Sequence, residues 1–211
     1  MKFNILYDIS MTISPEMQVY KGRDDKKPVI EVRSDHNTGT SYVTLLSCDL
    51  HLGTHVDAPL HMIRDGETMD YFGLDKVFSP ALLLDLTAVE GGITAADLAD
   101  KEIEAGQVVL LKTKNSFEER INDFIYLEES GARYLVEKGI KGVGIDTPGI
   151  ERDQEGHPTH KALLGQGIFI VEGLVLGDVP AGKYTLLLAP LKIAGVEASL
   201  ARAFLLEAEE D

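Results

Sequence analysis

The segment HLGTHVDAPLH, residues 51 to 61, holds three of the chain's six histidines and an aspartate. Imidazole nitrogen and carboxylate oxygen together form a donor set for zinc, and the same set serves manganese or iron. Three such ligands with one position left to water make a catalytic rather than a structural site. No single regular element presents all three. A helix aligns His51 with His55 and throws Asp57 aside, whereas a strand aligns His55 with Asp57. Gly53 and Thr54 therefore predict a turn after a strand, which lets His51, His55 and Asp57 converge, and Pro59 stiffens the exit towards His61. Thr54 either caps that turn or orients a ligand.

Carboxylates often bridge two ions, so a second donor group is sought downstream. His157 and His160 are the only other histidines apart from His36. Glu172 interrupts the apolar run GIFIVEGLVL, where an unpaired buried carboxylate costs several kcal/mol and a metal removes the penalty. An exposed strand end before Gly173 accounts for Glu172 equally well. His157 precedes Pro158 and reads as loop, which leaves His160 as the better ligand. Asp146, ending the run GVGID, either supports a ligand histidine or stabilises the turn before Thr147 and Pro148. Arg64 and Asp65 read as a solvated turn.

The elements that must carry these residues are short. FNILYDIS, VIEVRSD, TSYVTLLSCDLH, and ALLLDLT after Pro80 read as strands, as do QVVLLKT, KGVGIDT, IFIVEGL, YTLLLAPLKI and ARAFLLE. GITAADLADKEIEAG begins with Thr94 three residues before Asp97, which predicts a helix with a capping box. EESGARYLVEKG predicts a helix closed by Gly139, and THKALLGQG one or two helical turns. Strands mixed with two or three helices give one α/β or α+β domain over residues 1–211, with strand order left open.

Composition narrows the partners. Thirty-five acidic against 20 basic residues give a formal charge of −15, which repels phosphate backbones and anionic lipid, so neither nucleic acid nor membrane is expected. No signal-like start is present, and every apolar run falls short of the roughly 20 residues that cross a bilayer, so a cytoplasmic protein is expected. Cys48 is the only cysteine, which leaves no intrachain disulfide and no thiolate cluster. Any metal must use histidine and carboxylate.

The pattern H-x-G-T-H-x-D-x-P-x-H, followed by GIDTPGIE, THKALLGQGIFIVEGL and APLKIAGVEAS, resembles the cyclase-like metal hydrolases that include bacterial kynurenine formamidase and isatin hydrolase. The resemblance implies a swivelling β/β/α fold, a homodimer or larger homo-oligomer with active sites near subunit contacts, and two divalent ions per subunit, zinc first and manganese second. It assigns His51, His55 and Asp57 to one ion and Asp57, His160 and Glu172 to the other, with His61 as catalytic acid or base. The implied reaction is hydrolysis of an amide, N-formylkynurenine to kynurenine and formate; a cyclic amide such as isatin, or metal binding without turnover, are the alternatives. Where relatives carry an aromatic residue before Pro-Gly-Asp, this chain reads Tyr20, Lys21, Gly22, Arg23. With no tryptophan anywhere, Tyr20 is the aromatic left near that segment to meet an aryl substrate.

Overall fold

β-Rich runs punctuated by glycine and proline become twelve short strands and three helices in the computed structural model, which describes residues 4–118, 120 and 122–208. Phe3, where the first expected strand begins, lies outside the described residues. The strands are β1 (Ile5–Asp8), β2 (Val29–Ser34), β3 (Val43–Ser47), β4 (His55–Asp57), β5 (Phe78–Asp85), β6 (Gly92–Ile93), β7 (Val108–Lys112), β8 (Tyr126–Leu127), β9 (Gly142–Ile145), β10 (Phe169–Glu172), β11 (Gly182–Pro190) and β12 (Ala198–Leu206). The α-helices are α1 (Ala95–Leu98), α2 (Glu129–Glu137) and α3 (Pro158–Leu164). None of the described helices is long and apolar enough to cross a membrane.

Eight strands form one sheet in the order β1-β12-β11-β5-β7-β9-β10-β4, and β4 pairs back onto β12. The sheet therefore closes into a barrel-like ring. One edge of the long β12 is shared: Ala198 to Leu200 pair with β4, and Phe204 to Leu206 pair with β1. The run β5-β7-β9-β10 is parallel, β4 and β11 join its two ends antiparallel, and β12 lies antiparallel between β11 and β4. This is the expected mixed α/β class.

Residue alternation along the strands explains the two cores. Leu82, Leu84, Val109, Leu111, Val143 and Ile145 face outwards, packing with the helix residues Leu98, Leu135 and Leu163. Ala81, Leu83, Val108, Leu110, Val171, Leu186 and Leu205 face the ring interior. Strands buried on both faces have continuous apolar sequences, which is why the central runs show no polar alternation.

Three boundaries depart from the sequence expectation. The helix after Thr94 does have its capping box with Asp97, but α1 stops at Leu98. Leu98 and Ile103 are both buried, and a spacing of five cannot place both on one helical face, so the chain leaves the helix to bury the second. β5 starts before Pro80; pairing with β7 begins only at Ala81, so the missing proline N–H removes no bond from that ladder. The third expected strand ends at Ser47 rather than running on to His51.

β2 and β3 form a separate antiparallel ribbon, and neither strand contributes a buried residue. Val29, Ile30, Val32, Val43, Leu45 and Leu46 are all exposed on it.

Candidate metal centre and its cavity

The three-residue strand β4 closes the ring, with Asp57 opposite Ile170 on one side and Ala198 on the other, and His55 opposite Glu172 and Leu200. Strand geometry puts His55 and Asp57 on one face, while His51 arrives through the turn before it. Gly53 makes that turn with φ of +58°. Gly173 follows Glu172 with φ of +66°, and a Cβ there would lie 2.2 Å from the Gly53 carbonyl oxygen, so the two donor-bearing segments touch where only glycine fits. Thr54 locks the same junction: its buried hydroxyl donates to Gly173 O at 2.6 Å and accepts from Met11 N at 2.8 Å.

Five side chains converge there. Asp57 Oδ1 lies 3.1 Å from His51 Nδ1 and 3.6 Å from His55 Nε2, and Asp57 Oδ2 lies 3.9 Å from His160 Nε2. Glu172 stands between two histidines, Oε2 3.3 Å from His55 Nε2 and Oε1 3.5 Å from His160 Nε2. Asp57 is 0% exposed and His55 1%. Neither Asp57 oxygen, nor His55 Nε2, has a hydrogen-bond partner. Buried polar atoms are almost always satisfied, so three orphans facing one another fit a cation that would hold them. His51, Asp57 and His61 offer one set of donors within 4.8 Å of each other, and His55, Asp57 and Glu172 a second, with Asp57 common to both. Glu172 thus stands with His55 as closely as with His160, a grouping the sequence does not foretell.

The charges point the same way. Burial pushes the imidazoles of His55 and His160 down, but Glu172 and Asp57, with Glu151 beside His160, more than reverse this and hold both above the ordinary value. Burial would raise Glu172, yet the two histidines keep its carboxyl well below the usual range. The carboxylates therefore call for positive charge at the two Nε2 atoms, and a divalent metal supplies it.

Two acids that sequence reasoning missed stand beside the ligands, and one of them orients its histidine. Glu151 Oε2 accepts from His160 Nδ1 at 2.6 Å, and its carboxylate also receives the backbone N–H groups of Thr159 and His160 at the start of α3. With Nδ1 so occupied, His160 turns Nε2 to the site. Gly53 O does the same for His55, accepting from Nδ1 at 2.8 Å. Glu197 lies 3.6 Å from His51 Nε2. Both acids fall inside the quoted runs GIDTPGIE and GVEAS; the usable signal was that a ligand histidine needs an acceptor on its second nitrogen.

Of these donors His51, His160 and Glu172 line a cavity of about 230 Å³, together with His61, Met62, Tyr20 and Lys26. The His61 ring is centred 4.1 Å from His51 and 5.5 Å from His160. Burial, helped by the neighbouring His51 and His160, pushes its pKa down, which favours the neutral ring. Tyr20 faces the same space with its ring edge-on to Phe124 at 6.2 Å. His157, exposed and in left-handed backbone at the start of α3, reaches only the rim, 3.8 Å from Glu151. Arg64 and Asp65 are solvent-exposed, as expected of a surface turn. Asp146 supports no ligand histidine. Its carboxylate accepts from Thr113 N, Thr113 Oγ1 and Ser116 Oγ at 2.8, 2.7 and 2.5 Å, and burial raises its pKa to about 6.

The chain as a whole is similar to known proteins. A family model described as "Putative cyclase" matches residues 7–152. The chain is 32% identical to the kynurenine formamidase of Salinibacter ruber, over 97% of this chain and 99% of that one. It is 44% identical to a "predicted metal-dependent hydrolase" from Bacillus stearothermophilus, covering 98% of this chain and all of that one with a TM-score of 0.87. Isatin hydrolase A from Labrenzia aggregata, at 24% identity, shares the fold with a TM-score of 0.83 over 98% of this chain and 94% of that one.

Proposed function

The chain belongs to the cyclase family and is a hydrolase, and from that premise we propose that it cleaves the carbon–nitrogen bond of an aryl formamide, N-formylkynurenine above all, releasing formate. The observation that carries this reading is the set of orphaned donors, His55 Nε2 and both Asp57 oxygens, grouped with His51, His160 and Glu172, which line a cavity that His61 also faces.

His51, His55, Asp57, His160 and Glu172 would hold two divalent ions, zinc or manganese, Asp57 being common to two of the donor groups. Such ions polarise a carbonyl and bring the pKa of a bound water towards neutrality. His61 supplies the proton traffic. Its neutral imidazole takes a proton from the attacking water as the carbon–oxygen bond forms, and returns it to the aniline nitrogen as the carbon–nitrogen bond breaks. Tyr20 packs on the aryl ring of the substrate. Glu151 and Gly53 O hold His160 and His55 in the tautomer that faces the site, and Met62 with the buried floor limits bulk water.

The protein acts as one domain over residues 1–211, in the cytoplasm, as a homodimer. Support for the dimer comes from the β2–β3 ribbon, because an isolated two-stranded ribbon is marginal in water and this one exposes apolar side chains on both faces. A second copy of the chain would cover it.

The test is formate release from N-formylkynurenine by protein loaded separately with zinc and manganese, its metal content measured. Release that stops on chelation supports the reading. Absence of release from fully loaded protein overturns it and turns attention to ring opening of a cyclic amide, the substrate class named for the structurally similar isatin hydrolase.

A further inference from the structure

We propose that Lys26 is the specificity-determining cation of this cavity, binding a carboxylate carried by the substrate at the far end from the scissile formamide. The inference rests on the formamidase reading for its chemistry and on the following geometry for its residue.

Lys26 lines the same cavity as His51, His61, His160 and Tyr20, and it is the one lysine or arginine among the lining residues. It ends the short helical turn Asp24–Lys26, inside the charged stretch where this chain departs from its relatives' aromatic-Pro-Gly-Asp pattern. Its position is fixed by a relay. Asp49 Oδ2 accepts from Lys26 Nζ at 2.8 Å, and Asp49 Oδ1 accepts from the backbone N–H of His51 at 3.1 Å. One carboxylate thus ties the ammonium to the first residue of the donor turn, so Lys26 keeps a set distance from the reacting centre. The side chain is 30% exposed, low enough to orient the group and high enough to leave it reachable.

Chemistry completes the argument. An ammonium has three N–H groups, and Asp49 accepts from one of them. A chain of formal charge −15 repels anionic ligands over most of its surface, so an anionic substrate needs a local cation to enter. Lys26, bonded to Asp49 through one N–H, offers the others at the wall, and the acids Glu151 and Glu172 line the same cavity beside His160. The expected ligand is an aryl formamide with a carboxylate on its side arm; one without it loses its partner.

The experiment compares N-formylkynurenine with N-formyl-2-aminoacetophenone, the same aryl formamide with its side arm cut to a methyl group. In the zinc-loaded wild type the ratio of kcat/KM values favours the carboxylate substrate. Lys26→Gln lowers that ratio by about tenfold or more, mainly through KM, and Lys26→Arg restores most of it. A ratio that stays within about threefold overturns the proposal, and so does a parallel fall for both substrates with lost zinc, which marks a purely structural tie to Asp49. Should the wild type hydrolyse neither compound, the formamidase reading fails separately, and calorimetric binding of kynurenine against 2-aminoacetophenone decides on Lys26. A preference for kynurenine that Lys26→Gln removes supports the cation site, and equal binding removes it.

Discussion

Residues 51–61 and the ribbon at residues 29–47 are near neighbours in sequence and opposites in environment. The first buries a carboxylate and an imidazole atom with no hydrogen-bond partner; the second exposes Val29, Ile30, Val32, Val43, Leu45 and Leu46 to water. Each inverts the usual sorting of polar and apolar groups, and such inversions are the informative features of a folded surface and core. The difference teaches what each region lacks. Orphaned donors fit a cation, and an apolar ribbon open to water leaves its side chains unburied.

The largest effect expected from breaking this comparison is at Asp57. Asp57→Asn removes the charge shared by both donor sets and is expected to lower kcat/KM on the order of 10³-fold or more, with zinc lost by elemental analysis. Its melting temperature should no longer rise on adding zinc, whereas wild type gains stability as ligand linkage requires. Next comes His61→Ala, which should keep its zinc and lose about 10²- to 10⁴-fold in kcat. Retained activity in that variant would remove the proton shuttle while leaving the metal site standing.

The ribbon is tested by Leu46→Lys, which puts a charge opposite Ile30 in the cross-strand register. Light scattering after size exclusion should show the dimer weakened by roughly 100-fold, if charge on a buried apolar contact costs what it does elsewhere. A monomeric wild type would end the comparison on that side.

The smallest effect sharpens it. Asp146 is buried like Asp57, yet accepts three hydrogen bonds from Thr113 and Ser116. Its pKa of about 6 in the folded chain, against 3.8 for an unperturbed aspartate, means that the folded state binds its proton more tightly. Its contribution to stability is therefore greatest below about pH 4, falls as pH rises to about 6, and is level above that, by up to about 3 kcal/mol. Urea unfolding at pH 4 and pH 6 should show wild type losing about 2 kcal/mol of that relative to Asp146→Asn, and a flat difference would refute it.

Much of the site was legible because donor types crowd into eleven residues, and a glycine among them requires a turn. Its closure was not. β4 is three residues long, too short to show a period, and its pairing between β10 and β12 joins segments more than 100 residues apart. Glu151 and Glu197 escaped for a related reason: each sits outside a strand or helix, and only the folded chain brings it to a histidine. The apolar runs of the central strands showed the class of fold. The exposure of β2 and β3 did not show, since VIEVRS alternates as a half-covered strand does.

The junction of β4 with β12 also sets an order in time. His51 to Asp57 leave the ribosome well before their flanking strand, whose Ala198 and Leu200 stand opposite Asp57 and His55 more than 140 residues later in the chain. At about 5–20 residues per second the interval is on the order of ten seconds. Throughout it the donors of one half of the centre wait without the wall that will bury them. The centre is therefore a late product of folding, complete only when the ring shuts, and a stalled or truncated nascent chain carries the histidines without the hydrolase.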